Sequence, residues 1–147
     1  TVASVAGLAW QGRADALAGL LDASTGEEID AWQAQQDPAY AVYSTSKEAS
    51  ILFSKKISGP AWQKYGIRVN TVSPGPTDTP ILGDSKKSMG DDTIEFVRSA
   101  AGRHGGVDDI APVITFLASD EARWINGKDI QVDAGVIAGM GAGPYPI

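Results

Sequence analysis

Tyr43-Ser44-Thr45-Ser46-Lys47 opens a run in which Ala49, Leu52, Phe53 and Ile57 recur at three- and four-residue spacing, and Ile67-Arg68-Val69-Asn70-Thr71-Val72 follows it. The first pattern is that of a helix with one buried stripe. The second reads as a strand. Gly66 between them suits the left-handed turn that closes a helix. Gly59-Pro60 interrupts the helical run, and a kink or break is expected there because proline lacks the amide proton and crowds the preceding turn. Ala61 to Tyr65 would then be a final helical piece. Tyr43 and Lys47 stand four residues apart and so share a helix face. A fixed ammonium beside a phenol favours its ionised form, which makes Tyr43 a candidate proton donor or acceptor. On spacing alone the pair describes an ordinary amphipathic helix, so the flanking segments decide its meaning.

Toward the N-terminus, Thr1-Val2-Ala3 is β-prone and stops at Ser4-Val5-Ala6-Gly7, like the last residues of a strand. From Gln11 to Asp22 the pattern is helical, with Leu17, Leu20 and Leu21 on one side. Thr25-Gly26-Glu27-Glu28 is a capping-box signature opening a second helix that carries Ile29 and Trp32. Pro38 resets the backbone before the Tyr43 helix. Toward the C-terminus, Ser73-Pro74-Gly75-Pro76 ends the strand, and Thr77 to Gly90 is polar and broken, which suggests a mobile segment. Asp91 or Asp92 is expected to cap a helix bearing Ile94, Phe96 and Val97, and Asp108 another bearing Ile110, Val113, Ile114 and Leu117. Asp129 to Asp133 is a last strand before a Gly- and Pro-rich, flexible tail.

Helices and strands alternate, which predicts an α/β fold with a Rossmann-like doubly wound parallel sheet. Such sheets bind ligands at the carboxyl ends of their strands. Ser4 and Pro74-Gly75 both follow strand ends and fall on that rim with Tyr43.

The composition narrows the function. The 147 residues carry a net charge of -6, no cysteine and one histidine. That excludes disulfides, thiolate nucleophiles and Cys- or His-based metal clusters, and no metal site is expected. The basic residues are scattered apart from Lys55-Lys56 and Lys86-Lys87, which argues against nucleic acid as a partner. No apolar run is long enough to span a bilayer, and the first residues lack the pattern of a signal peptide. A cytoplasmic setting is the expectation.

The chain resembles the short-chain dehydrogenase/reductase family, through Ser4-Val5-Ala6-Gly7, Tyr43-x-x-x-Lys47 and Arg68-Val69-Asn70-Thr71-Val72-Ser73-Pro74-Gly75. Further matches are Gly102-Arg103-His104-Gly105, Phe116-Leu117-Ala118-Ser119, Asn126-Gly127 and Val132-Asp133-Ala134-Gly135. The resemblance implies an NAD- or NADP-dependent oxidoreductase that interconverts a secondary alcohol and a ketone. It gives Tyr43 the proton transfer, Lys47 the support of Tyr43 and a hydrogen bond to the nicotinamide ribose, and Ser4 the carbonyl oxygen. It places the cofactor's nicotinamide end against Tyr43, Lys47, Pro74, Gly75, the Thr77 amide and the Thr79 hydroxyl. Pro80 to about Ala101 would be the substrate loop. His104 has a surface role on this reading, Asn126-Gly127 is a tight turn, and Trp10 could border the pocket. A homo-oligomer acting on a small alcohol or ketone is implied.

Two features depart from the family pattern. Ser4 and Tyr43 lie 39 positions apart, so the helices at about 11–36 are an insertion. A similar insertion occurs in bacterial 3α-hydroxysteroid dehydrogenase/carbonyl reductases, which the chain resembles most. There the insert is expected to cover the helix face through which relatives pair. The family's N-terminal dinucleotide-binding half is absent, so residues 1–147 read as the C-terminal, catalytic part of one domain. Gly135-x-x-x-Gly139-x-Gly141 has the spacing of a dinucleotide loop, but too few residues follow for a phosphate-binding helix, and it is read as a decoy. Two alternatives stand beside the ketone reductase. One is an inactive truncated or proteolysed fragment; the other is an enoyl-thioester reductase using Tyr40, seven residues before Lys47.

Overall fold

A computed structural model describes residues 1–83 and 90–142. Of the expected mobile segment (77–90) and substrate loop (80 to about 101), residues 84–89 lie outside the described residues, as does the tail from 143 onward. The chain runs through a 3-10 helix (Val5–Arg13), α1 (Ala14–Asp22), α2 (Gly26–Gln33), α3 (Val42–Tyr65) and β1 (Thr71–Pro74). It continues through α4 (Asp91–Ala101), α5 (Val107–Ala118), a 3-10 turn (Asp120–Ala122), β2 (Asp129–Val132) and α6 (Val136–Ala142).

β1 and β2 pair in parallel, from Thr71 opposite Asp129 to Pro74 opposite Val132. On the other edge of β1, Val2 bridges Val72 in parallel. There the Ala3 amide donates to the Val72 carbonyl at 2.8 Å and the Val72 amide to the Thr1 carbonyl at 3.0 Å. Thr1-Val2-Ala3 is therefore the strand end that its composition suggested, and β1 is the middle of the sheet. Two apolar clusters flank it. Val72, Ile110, Leu117 and Ala122 pack α5 onto the strands, with Ile130 and Val132 beside them. Leu17, Ala49 and Leu52 join α1 to α3, covered by Trp10, Leu20 and Trp32.

The break expected at Gly59-Pro60 does not occur, and α3 runs unbroken with Pro60 inside it. Its neighbourhood explains why. Gly59, Pro60 and Lys56 are exposed, so water can satisfy the Lys56 carbonyl that Pro60 leaves without a donor. Just before the proline, the Asn126-Gly127 turn clamps the helix. Asn126 Nδ2 donates to the Ser58 carbonyl at 3.0 Å and Lys55 Nζ to the Gly127 carbonyl at 3.2 Å. Gly127 has φ 69° and lies so close that a Cβ would stand 2.8 Å from Ser58 Oγ. Beyond the proline, Gly66 closes the helix in the left-handed conformation at φ 66°, as its position suggested. Pro60→Ala should therefore raise the urea midpoint. The gain should fall below the ~3 kcal/mol separating proline from alanine in a helix interior, because the surroundings already accommodate the ring. Of the expected stripe, Ala49 and Leu52 are buried, but Phe53 is 49 % exposed and Ile51 is fully buried in its place.

The strand also begins later than the β-prone stretch. Ile67 to Asn70 bonds largely through side chains instead of a ladder, with the Gly127 amide donating to the Val69 carbonyl at 2.9 Å. The Arg68 guanidinium donates to the carbonyls of Leu117 at 2.7 Å and Ser119 at 3.1 Å. The Val69 amide donates to Asn126 Oδ1 and Asn70 Nδ2 to the Ile125 carbonyl, both at 2.8 Å. A cross-strand pin follows: Asp129 accepts from Thr71 Oγ1 at 2.5 Å and from Ser73 Oγ at 2.7 Å.

Helix ends show one success and two corrections. The capping box of α2 is present, with Thr25 Oγ1 accepting from the Glu28 amide and Glu28 accepting from the amides of Ser24 and Thr25. Those amide donors, Ser24 first, hold the Glu28 carboxyl below its ordinary pKa of 4.5. A depressed carboxylate pKa stabilises the fold above the unfolded value and loses that contribution as pH falls through the folded value. An NMR titration should place the Glu28 midpoint below 4.5, with helicity of α2 fading only beneath it.

At α4, Gly90 is the cap and Asp91 and Asp92 lie inside the first turn without a side-chain cap bond, where they favour the positive helix end. At α5, Asp109 rather than Asp108 takes the Gly106 amide, at 2.7 Å. The Arg103 guanidinium, followed by that amide, holds the Asp109 carboxyl well below the usual range.

The expected flexible tail is also corrected, since α6 forms from Val136. The Asp133 carboxylate accepts from the amides of Gly135 at 3.0 Å and Ile137 at 2.9 Å. These contacts organise the helix start and already occupy the amides that a phosphate would need.

Candidate active site

The site is built where the Ser4 segment crosses α3. Ser4 is extended at φ -170°, and its Oγ accepts from the Ala6 amide at 3.2 Å, capping the 3-10 helix. The helix expected from Gln11 thus starts at Val5 in 3-10 form and becomes α-helical at Ala14. Gly7 is buried against α3, and a Cβ on it would stand 2.7 Å from the carbonyl carbon of Lys47. Only a glycine permits this approach, which brings the Ser4 turn to the helix face carrying Tyr43 and Lys47.

On that face Lys47 Nζ lies 5.4 Å from the centroid of the Tyr43 ring. Both residues are half-buried, whereas Ser4 is 9 % exposed. The opposite wall is the turn after β1. Thr77 bridges Gly105 in parallel, with the Gly105 amide donating to the Pro76 carbonyl and the Asp78 amide to the Gly105 carbonyl. In this register the Thr77 amide points away from Gly105. Thr77 Oγ1 donates to the Gly75 carbonyl at 2.9 Å and Thr79 Oγ1 to the Thr77 carbonyl at 3.3 Å, which tightens the turn.

Ser4, Tyr43, Lys47, Pro74, Gly75, Thr77 and Thr79 all line one cleft of ≈ 320 Å³. The residues expected for a ketone-reducing site are therefore in one place. Ile81, Leu82 and Ile94 add an apolar side. So do Val107, Ile110, Ala111 and Ile114 on one face of α5, Ile110 being buried in the core as its spacing suggested while Ile114 is 39 % exposed. Their spacing of three and four residues was the available signal. Trp10 does not line the cleft. It packs on the Leu17 cluster, with Lys55 Nζ 5.5 Å from its ring centroid. Tyr40 is also elsewhere, 51 % exposed, with the Arg13 guanidinium 3.8 Å above its ring.

The sequence model of a family described as enoyl-(acyl carrier protein) reductase matches residues 30–137. The chain belongs to the short-chain dehydrogenase/reductase family. Among its relatives, a coniferyl-alcohol dehydrogenase of a Pseudomonas strain is 32 % identical over 92 % of this chain and 53 % of that protein. A 3-alpha-hydroxysteroid dehydrogenase/carbonyl reductase of Comamonas testosteroni is 36 % identical over 67 % of this chain and 38 % of that protein. The chain thus spans about half, or less, of the length of these curated relatives. The crystal structure of a 3-alpha-hydroxysteroid dehydrogenase from Pseudomonas sp. B-0831, complexed with NADH, superposes with a TM-score of 0.78 at 28 % identity. It covers 98 % of this chain and 57 % of that one. The parallel α/β architecture of short-chain dehydrogenases is therefore present, in part, in these residues. No helix among the described residues is long and apolar enough to cross a membrane.

Proposed function

We propose that this chain is the C-terminal, catalytic part of an NAD(P)-dependent short-chain dehydrogenase that interconverts a secondary alcohol and a ketone. The observation that carries the reading is the convergence of Ser4, Tyr43 and Lys47 on one cleft with the Pro74–Thr79 turn. The bound nicotinamide would supply or accept the hydride. The residues present fit its nicotinamide end, because the Thr77 amide is directed away from its bridge partner and Pro74-Gly75 lines the cleft without bulk.

In this mechanism the Tyr43 phenol donates a proton to the substrate oxygen in reduction and accepts it in oxidation. Lys47, whose ammonium lies 5.4 Å from the centroid of the Tyr43 ring, would place its positive charge beside the proton transfer and hydrogen-bond the nicotinamide ribose. Ser4 Oγ donates to the same oxygen and stabilises charge developing there. The apolar wall of Ile81, Leu82, Ile94 and α5 excludes water and suits a bulky alicyclic or steroid-like carbonyl. The relative named for a 3-alpha-hydroxysteroid is consistent with that class. The missing cysteines agree with a reducing, cytoplasmic setting, and assembly as a homo-oligomer belongs to the same proposal.

The family model's description favours a second reading, enoyl-thioester reduction. Tyr40 would be the proton donor there, but it lies before the start of α3 and outside the cleft. A third reading is that these residues by themselves bind no cofactor. Fluorescence titration of the intact protein with NADH and NADPH, followed by turnover of cyclic ketones and of an enoyl thioester, separates the three. Saturable binding with ketone turnover is expected. Enoyl turnover alone would transfer the function to the second reading, and absence of binding would favour the third.

A further inference from the structure

Arg13 and Glu48 form an ion pair that the catalytic reading does not use. Their side chains are 9 % and 4 % exposed, so two charges have been taken out of water together. Arg13 Nη1 donates to Glu48 Oε2 and also to Thr45 Oγ1, the latter at 3.0 Å. The guanidinium is roofed by the Tyr40 ring at 3.8 Å. Its Nη2 is buried without a partner, so even this enclosed cation is not fully satisfied. A buried pair of this kind contributes little net stability, and apolar replacements of both partners are often neutral. Stability alone therefore does not account for it. A directional constraint does.

The two charges sit on the two elements whose relative placement makes the site. Arg13 is the last residue of the 3-10 helix that Ser4 caps, and Glu48 follows Lys47 directly on α3. The Ser4 segment thus touches α3 through the Gly7 approach to the Lys47 carbonyl, through Trp10 on the Ala49 and Leu52 face, and through the Arg13–Glu48 pair, the one ionic contact of the three. Packing at Gly7 sets how near the segment comes. The ion pair fixes where along α3 it rests, because the Glu48 carboxylate and the Thr45 hydroxyl lie one turn apart on the helix and Arg13 spans both.

We infer that Arg13 and Glu48 are positioning residues that hold the Ser4 hydroxyl in register with Tyr43 and Lys47. This rests on the ketone-reductase reading for its catalytic consequence, but its structural core can be read without activity. The test uses the intact protein carrying Arg13→Met with Glu48→Leu, which leaves no unpaired buried charge. Its urea midpoint should be close to that of the unmodified protein. Amide hydrogen exchange across Ser4–Arg13 should nevertheless be roughly tenfold faster, with α3 and the sheet unchanged. In steady-state ketone reduction, kcat should fall by about 10²-fold with KM little altered, as expected when a reacting group is misplaced by about 1 Å.

Unchanged exchange over Ser4–Arg13 overturns the inference, and so does an unchanged kcat in a protein that is active. If the double variant fails to fold, Arg13→Lys takes its place, since it keeps a charge to balance Glu48 but lacks the planar fork that spans Glu48 and Thr45. Exchange over Ser4–Arg13 faster than in the unmodified protein then supports the inference, and unmodified exchange overturns it. Absence of ketone turnover in the unmodified protein would instead defeat the functional reading, while hydrogen exchange still decides the positioning.

Discussion

Replacing Tyr43 by phenylalanine should lower ketone turnover by about 10²–10⁴-fold, the range for losing a positioned acid or base. The fold should be untouched. Tyr43 is half-buried at the cleft wall, and its phenol is not among the hydrogen-bonded groups of the described residues. Removing the hydroxyl therefore strands no buried donor or acceptor, which is the usual source of a stability loss. The ring itself, near which Lys47 Nζ rests 5.4 Å from the centroid, remains. The measurement is steady-state turnover per mole of folded protein, with circular dichroism and urea unfolding alongside. Turnover equal to that of the unmodified protein would mean that the proton comes from another group. A lost activity accompanied by a lowered unfolding midpoint would mean that the phenol is structural.

Gly7→Ala should be the most damaging single change of one carbon. The added methyl would meet the Lys47 carbonyl carbon at 2.7 Å, the Glu48 nitrogen at 2.9 Å and the Lys47 oxygen at 2.9 Å. All three are backbone atoms of α3, so no side chain can swing aside to make room. Either the 3-10 helix lifts off or α3 bends, and overpacking of this sort costs about 1–3 kcal/mol, occasionally more. Both escapes carry Ser4 away from Tyr43. The urea midpoint and the turnover should therefore fall together, unlike the Tyr43→Phe case. An alanine variant with unchanged stability and turnover would mean that the segment does not lie against α3 in this way.

Much of this arrangement could be read from the sequence because it rests on local chemistry. The capping box at Thr25, the closing turn at Gly66 and the tight turn at Asn126-Gly127 each depend on a few neighbouring residues, and each is where its residues suggested. Ser4, Tyr43, Lys47 and Pro74-Gly75 were legible for a related reason, since strand ends and one helix face are positions that the pattern fixes, whereas Thr77 and Thr79 were implied only by the family resemblance. What escaped depends on partners distant in sequence. Pro60 continues α3 because residues 126 and 127 brace it, and Ile67 to Asn70 forgoes a ladder because Arg68 reaches carbonyls some 50 positions away. Phe53 had the right spacing for the core, but burial is decided by what packs opposite. Likewise α6 forms because Asp133 captures the amides at its start, which a count of glycines does not reveal.

The pairing of β1 with β2 joins Thr71 to Asp129, and that of Val2 with Val72 joins segments still farther apart. Such closures must meet a chain-entropy cost before any ladder bond forms. The helices need only neighbours, so α3 and its companions α1 and α2 can assemble while the strands are still apart. During that interval β1, the middle strand of the finished sheet, has both edges bare, and unpaired edges recruit other chains. The segment that gives the cleft its floor is thus the last to be sheltered as the protein is made. Concentration during refolding, more than temperature, is then the condition that decides how much of it reaches the native state.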